Sequence, residues 1–120
     1  MQSNFFKDLV IIELASVLAG PAVGMFFAEL GARVIKIENK ASGGDMTRRW
    51  KVKGEKTGKE DSAYYRSVNW GKEILFLDLK AATDLERLYS LVIKADVVES
   101  YYHCYIATSM EWEATFMYHY

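Results

Sequence analysis

Two neighbouring residues, Gly20 and Pro21, follow an apolar run and begin a predicted helix that could bind a negatively charged ligand. Proline suits the first helical turn because its φ angle is already helical and that turn does not use its missing N–H group. A helix that begins just after a buried strand places free N–H groups and its positive dipole end at the carboxyl edge of the sheet. Anionic or nucleotide-like ligands commonly bind at that edge, so the pattern predicts ligand binding there.

Other kinds of chemistry have weaker support in the sequence. Glu38 ends a predicted strand, where an acidic residue holds the ribose in dinucleotide-binding folds, but the preceding loop lacks the G-x-G-x-x-G pattern of NAD sites. Cys104 is the only cysteine, which excludes an internal disulfide and a multi-cysteine metal site. His103 and His119 do not form a metal-ligand spacing with it, so the sequence predicts no metal site.

The elements that position this site predict an α/β, Rossmann-like fold with a mainly parallel sheet and flanking helices. The apolar runs Leu9–Leu14 and Val34–Glu38 lack strict polar alternation, as in strands that are covered on both faces. A helix lies between them and ends at Gly31. Its apolar residues recur every three or four positions and predict a stripe packed on the sheet: Val23, Phe26, Phe27 and Leu30.

The same patterns continue after a polar interval. No regular element is predicted securely from Asn39 to Asn69, and a loop of that length in a compact domain is usually functional or disordered. Ile74–Leu79 then predicts a buried strand, Ala81–Ile93 a helix with one apolar face, and Asp96–Val98 the beginning of another short strand.

Composition limits the class of protein. The 120 residues suit one small domain, and 15 basic against 16 acidic residues leave no positive field that would recruit nucleic acid. No apolar segment reaches the ~20 residues of a membrane span, and the first residues lack a signal-peptide pattern. The single cysteine fits a reducing compartment, so we expect a cytoplasmic protein without nucleic-acid or membrane partners.

Four segments in order resemble the N-terminal part of the family III (CaiB/BaiF-type) CoA-transferases: Leu9–Glu38, Gly43–Trp50, Ser62–Lys80 and Lys94–Val98. The resemblance runs from about Phe6 to Val98 and implies residues 1–98 as a Rossmann-like CoA-binding part. It further implies an enzyme that transfers CoA between an acyl-CoA and a carboxylic acid. CoA would be a substrate and no cofactor is implied. Full-length members form interlocked homodimers.

The resemblance also implies which residues contact CoA. Lys80 would meet a phosphate as a point charge, and Arg48 would form a bidentate phosphate contact. Asn39 stands where the family often has a basic residue. The interpretation requires Leu18 and Lys80 to face one cleft. The full implied set is Leu18, Ala19, Asn39, Arg48, Leu77, Asp78, Leu79 and Lys80.

Purely structural roles remain open for the same residues. Leu18 and Ala19 would then cover the top of the sheet, and Lys80 would be a surface lysine beside a helix. Arg48 and Arg49 would pair with Asp45 across a turn, and an exposed pair of that kind contributes only ~0–1 kcal/mol.

Residues 99–120 depart from the family pattern and form a divergent aromatic tail, which we attribute to truncation or a frameshift. Thr108 and Glu111 would make a capping box there. The family's nucleophilic aspartate lies well downstream, and no aspartate follows Asp96, so no catalytic residue is assigned and the chain is expected to be inactive alone. Two alternatives remain: a non-catalytic CoA- or nucleotide-binding module whose tail is an interaction helix, and a dinucleotide-binding oxidoreductase fragment.

Overall fold

The computed structural model describes residues 4–56, 58 and 60–100, together with the backbone of 104–106. Its elements, in chain order, are β1 (Val10–Glu13), α1 (Ala19–Glu29), β2 (Arg33–Asn39), a 3₁₀ helix (Met46–Arg49), α2 (Ala63–Asn69), β3 (Glu73–Leu77), α3 (Ala82–Val92), β4 (Val97–Glu99) and β5 (Cys104–Ile106). The predicted capping box at Thr108 and Glu111 lies outside the described residues.

The strands form one five-stranded sheet in the order β3-β2-β1-β4-β5. The first four strands are parallel to their neighbours, and β5 runs antiparallel to β4. The predicted α/β fold with a mainly parallel sheet is confirmed. Because the parallel strands end at one edge, the loops after β1, β2 and β3 lie side by side there.

The first βαβ unit forms where the sequence predicted it. Pro21 lies in the first turn of α1, and Gly31 follows the helix end with a φ of +99°, which a residue with a Cβ rarely adopts. β3, α3 and β4 also match the prediction within one or two residues, whereas β5 was not predicted.

The prediction of no secure element between Asn39 and Asn69 was wrong. Both short helices in this interval have a side-chain N-cap: Asp45 accepts from the Thr47 N–H at 2.9 Å, and Ser62 accepts from the Tyr65 N–H at 3.0 Å. Each cap satisfies an N–H group that the first turn leaves free. The helices have four and seven residues, so neither is long enough to give a clear apolar period.

The two faces of the sheet are packed differently. On one face, Leu88 and Val92 of α3 are buried against an apolar cluster from alternate strand positions, as the helix period predicted. The strand members of that cluster are Ile12, Ile35, Ile37, Leu77 and Val98. On the α1 face, a smaller apolar cluster of Ile11, Ala32 and Val34 lies near the amino ends of the strands.

The predicted apolar stripe of α1 is wrong in part. Val23 and Phe26 are 43% and 54% exposed, and the buried residues of the helix are Pro21 and Gly24. Glycine faces the sheet because buried carboxylates lie directly beneath α1. A Cβ at Gly24 would clash with the carboxylate of Glu13. None of the helices in the described ranges is long and apolar enough to cross a membrane.

Candidate functional site

A cavity of about 550 Å³ lies at the carboxyl edge of the sheet. Its floor and sides come from the ends of β1, β2 and β3, and its remaining wall comes from the segment Ala41–Arg49, which includes the 3₁₀ helix. The strand-end lining consists of Leu14, Ala15, Ser16, Lys36, Ile37, Glu38, Asn39, Leu77, Asp78, Leu79 and Lys80.

Five of the eight residues implied by the resemblance line this cavity: Asn39, Leu77, Asp78, Leu79 and Lys80. Leu18 and Ala19 do not; they are exposed at the beginning of α1. The cavity that Lys80 lines therefore does not include Leu18, and a cleft shared by the two residues stays a prediction. Arg48 is also absent from the lining. Contacts between CoA and any of the eight residues stay predictions.

The loop after β3 is held by hydrogen bonds that fix the position of Lys80. The carboxylate of Asp84, in the first turn of α3, accepts from the Asp78 N–H at 2.8 Å. Asp78 in turn accepts from the Lys80 N–H at 3.0 Å. The Lys40 N–H donates to the Leu77 carbonyl at 3.0 Å, which joins this loop to the one after β2. The two loops therefore form a connected surface.

Arg48 is bound inside the protein. Its guanidinium donates to the Glu38 carboxylate from Nε at 2.7 Å and from Nη2 at 2.9 Å, and to Asp61 from Nη1 at 2.8 Å. The same group lies 4.0 Å from the centre of the Tyr65 ring. The structural alternative that paired Arg48 with Asp45 is wrong, because its partners are Glu38 and Asp61. Arg48 therefore attaches the cavity wall to the sheet.

The Glu38 carboxylate accepts four hydrogen bonds, two on each oxygen. One carboxylate oxygen accepts from Arg48 and the Tyr65 hydroxyl, and the other accepts from Arg48 and the Asp45 N–H. Burial alone would raise the pKa of Glu38, but these hydrogen bonds outweigh it and hold the pKa below its ordinary value. Because all its acceptor positions are used, Glu38 is poorly placed to bind a ribose, which counts against the dinucleotide alternative.

A second set of buried charges lies between the cavity wall and α1. Lys36 Nζ is 2.8 Å from Asp45 and 3.5 Å from Glu13, and Lys72 Nζ is 2.8 Å from Glu13. Lys36 also donates to Asn69 at 3.0 Å. Burial tends to raise the pKa of Asp45, but hydrogen bonds from Lys36 and Thr47 lower it overall.

Three of these charged residues, Glu13, Lys36 and Lys72, were not predicted from the sequence. Glu13 and Lys36 occur inside apolar strand runs, two positions after Ile11 and Val34, on the face that α1 covers. A charge at a buried strand position is a usable signal, because it requires a partner of opposite charge.

Glu99, at the end of β4, completes the buried set. Its carboxylate lies against Gly20 of α1, and Oε2 has no hydrogen-bond partner in the part of the chain that the structure describes. Burial, followed by the nearby charge of Glu13, raises the pKa of Glu99 to about 8.

No group of three or more potential metal ligands occurs among the described residues. The side chains of His103, Cys104 and His119 lie outside them, so the absence of a metal site stays a prediction.

The comparisons with known proteins agree on one family. The family model for CoA-transferase family III matches residues 6–105, which extends past Val98. The succinate–glutarate CoA-transferase of Agrobacterium fabrum is 44% identical over 91 residues, which cover 73% of this chain and 22% of that protein. The succinyl-CoA:mesaconate CoA-transferase of Haloarcula hispanica is 43% identical over 93 residues, covering 76% of this chain and 23% of that protein.

A solved structure gives the same result. The crystal structure of a CaiB/BaiF family protein from Brucella suis has a TM-score of 0.69 and 36% sequence identity, and the match covers 83% of this chain and 26% of that one. The chain thus spans about a quarter or less of the length of these relatives. With the family model matching most of its residues, the chain belongs to CoA-transferase family III.

Proposed function

We propose that the cavity at the carboxyl edge binds the nucleotide end of CoA or of an acyl-CoA. The observation that carries the proposal is that Asn39, after β2, and the segment Leu77–Lys80, after β3, line one cavity. Its volume of about 550 Å³ lies within the range of roughly 300–1,000 Å³ that is usual for small-molecule sites.

The lining suits a ligand that is partly flat and apolar and partly anionic. Met46 and Leu79 supply apolar surface from different segments of the lining, and Lys80 supplies a positive charge. Within the described residues, the Lys80 ammonium group has neither a hydrogen bond nor an ion pair, so it is available for a phosphate.

The complete protein, in this proposal, transfers CoA between an acyl-CoA and a carboxylic acid. CoA is a substrate, and the proposal includes no separate cofactor. We place the protein in the cytoplasm as a homodimer, in accordance with the sequence-based expectation. Residues 1–98 form the CoA-binding part, and the 120-residue chain by itself is expected to bind CoA without turning it over.

Isothermal titration calorimetry of the 120-residue chain with CoA, acetyl-CoA and NAD tests the proposal. We expect CoA and acetyl-CoA to bind and NAD to bind at least tenfold more weakly, which corresponds to about 1.4 kcal/mol. Lys80→Gln should weaken CoA binding. Lys94→Gln, which removes an exposed lysine outside the cavity lining, should not. A preference for NAD, or equal effects of the two substitutions, would overturn the proposal.

A further inference from the structure

We propose that Arg49, and not its neighbour Arg48, is the arginine that binds phosphate at this cavity. The inference rests on the proposed function and adds a residue to the same site. The two arginines are adjacent in sequence and chemically identical, so only their surroundings distinguish them.

Arg48 is committed to internal contacts. All three of its guanidinium nitrogens donate to Glu38, Asp61 or Tyr65, and its side chain is only 17% exposed. A phosphate could take Arg48 only by leaving the Glu38 carboxylate buried and unpaired, which is strongly unfavourable.

Arg49 has the opposite surroundings. It is exposed and lines the cavity wall, which Arg48 does not. A second depression is lined by Arg49 together with Gly43, Arg48, Lys51, Gly58, Glu60 and Asp61. Its guanidinium donates to the Ser42 carbonyl at 3.5 Å, which is at the limit of a hydrogen bond. It forms no ion pair within the described ranges. Its planar set of donors is therefore available for a bidentate phosphate contact.

The charges around the cavity favour an anion. Among the acidic residues of the lining, Glu38 is paired with Arg48 and Asp45 is paired with Lys36. The third, Asp78, accepts from the Lys80 N–H of its own loop. In the described part of the chain, two positively charged lining residues, Arg49 and Lys80, are then left without an ion pair, and Asp78 is the one acidic lining residue left without one. The net positive charge attracts phosphate groups over a distance of about 10 Å at moderate salt.

The test compares Arg49→Gln with Arg87→Gln, which removes an exposed arginine of α3 that lines neither concave surface. Calorimetry at low salt would use CoA, inorganic pyrophosphate and adenosine as probes. We expect Arg49→Gln to raise the Kd for CoA and pyrophosphate about tenfold, as the loss of a charge-assisted contact implies, and to leave adenosine binding unchanged. Arg87→Gln should bind all three probes like the original chain.

A thermal unfolding measurement separates binding from folding. Arg49→Gln should keep the Tm of the original chain, whereas Arg48→Gln should lower it by several degrees because Glu38 loses its partner. Unchanged CoA affinity in Arg49→Gln, or an equal loss for adenosine, would overturn the Arg49 inference while leaving the CoA proposal intact.

The same measurements would also show whether the CoA proposal fails while the Arg49 inference holds. Pyrophosphate binding that depends on Arg49, without CoA binding, would support the anion site and overturn the CoA proposal. If the original chain binds neither probe, both are wrong.

Discussion

The two faces of the sheet pack against their helices through different kinds of side chain. Beneath α3, alternate strand residues are aliphatic and meet the apolar stripe of an amphipathic helix. Beneath α1, the carboxyl ends of the strands carry charges, and the helix presents glycine to them. The residues buried beneath α3 can be predicted from the apolar spacing of each helix or strand alone. Burial beneath α1 depends on partners far apart in the chain, such as Lys36 and Asn69.

The buried charges on the α1 face also help to form the candidate site. The buried charges connect the sheet to the segment Ala41–Arg49, which is one wall of the cavity. Ion pairs and hydrogen bonds are directional, so they fix the position of that wall more closely than aliphatic contacts would. We therefore expect substitutions on the α1 face to affect both stability and ligand affinity, and those on the α3 face to affect mainly stability.

The largest expected effect comes from adjacent residues of β2 that point to opposite faces. Lys36→Met leaves the buried carboxylate of Asp45 without its cation, while Glu13 keeps Lys72, and should lower the free energy of unfolding by roughly 3–5 kcal/mol. Ile35→Val, on the α3 face, should lower it by about 0.5–1.5 kcal/mol. Urea denaturation measures both. A smaller loss in Lys36→Met than in Ile35→Val would contradict the proposed role of the charges.

The buried carboxyl of Glu99 should make stability depend on pH. Its pKa is about 8 in the folded protein, against an ordinary value of 4.5, so the folded state holds a proton that the unfolded state has released between these values. Stability should therefore fall as pH rises from about 5 to 8, by at most roughly 1.4 kcal/mol per pH unit.

Glu99→Gln should remove most of that decline, because an amide does not titrate. Glu86→Gln changes an exposed residue of α3 and should leave the decline in place. Urea denaturation at several pH values between 5 and 8 provides the measurement. A decline of equal slope in both variants would assign it to another group.

Gly24→Ala tests the close approach of α1 to the sheet. Alanine is the better helix former by about 1 kcal/mol, but its Cβ would clash with the Glu13 carboxylate. We expect a net loss of roughly 1–3 kcal/mol in the free energy of unfolding. Ser90→Ala, at an exposed position of α3, should be neutral or slightly stabilising. Stabilisation by Gly24→Ala would show that the helix has room for a Cβ.

The same contrast explains how much the sequence could predict. The first four strands and α3 follow local apolar patterns and were predicted closely, whereas β5 was not predicted. The exposed side of α1 was predicted wrongly because Val23 and Phe26 have the spacing of a buried stripe, while the burial of Gly24 depends on Glu13 beneath it. Local pattern carries no information about that distant partner.

The candidate site also has a part that the sequence could predict and a part that it could not. Asn39 and Leu77–Lys80 follow predicted strands, so the parallel topology alone places them together. The surroundings of Arg48 and Arg49 could not be predicted, because they depend on the fold of the segment between β2 and α2. Its capping residues, Asp45 and Ser62, were visible in the sequence. Their identity as caps required knowing where the short helices begin.

The smallest expected effect tests the exposed side of α1 directly. Phe26 is 54% exposed, whereas Phe27 lies 5.2 Å from the ring of Phe6 and packs on the apolar cluster near the amino ends of the strands. Phe26→Ala should change the free energy of unfolding by no more than about 0.5 kcal/mol, and Phe27→Ala should lower it by roughly 2 kcal/mol or more. Equal losses in urea denaturation would mean that α1 packs through the stripe that its sequence suggests, and the contrast between the two faces would then be restricted to the carboxyl ends of the strands.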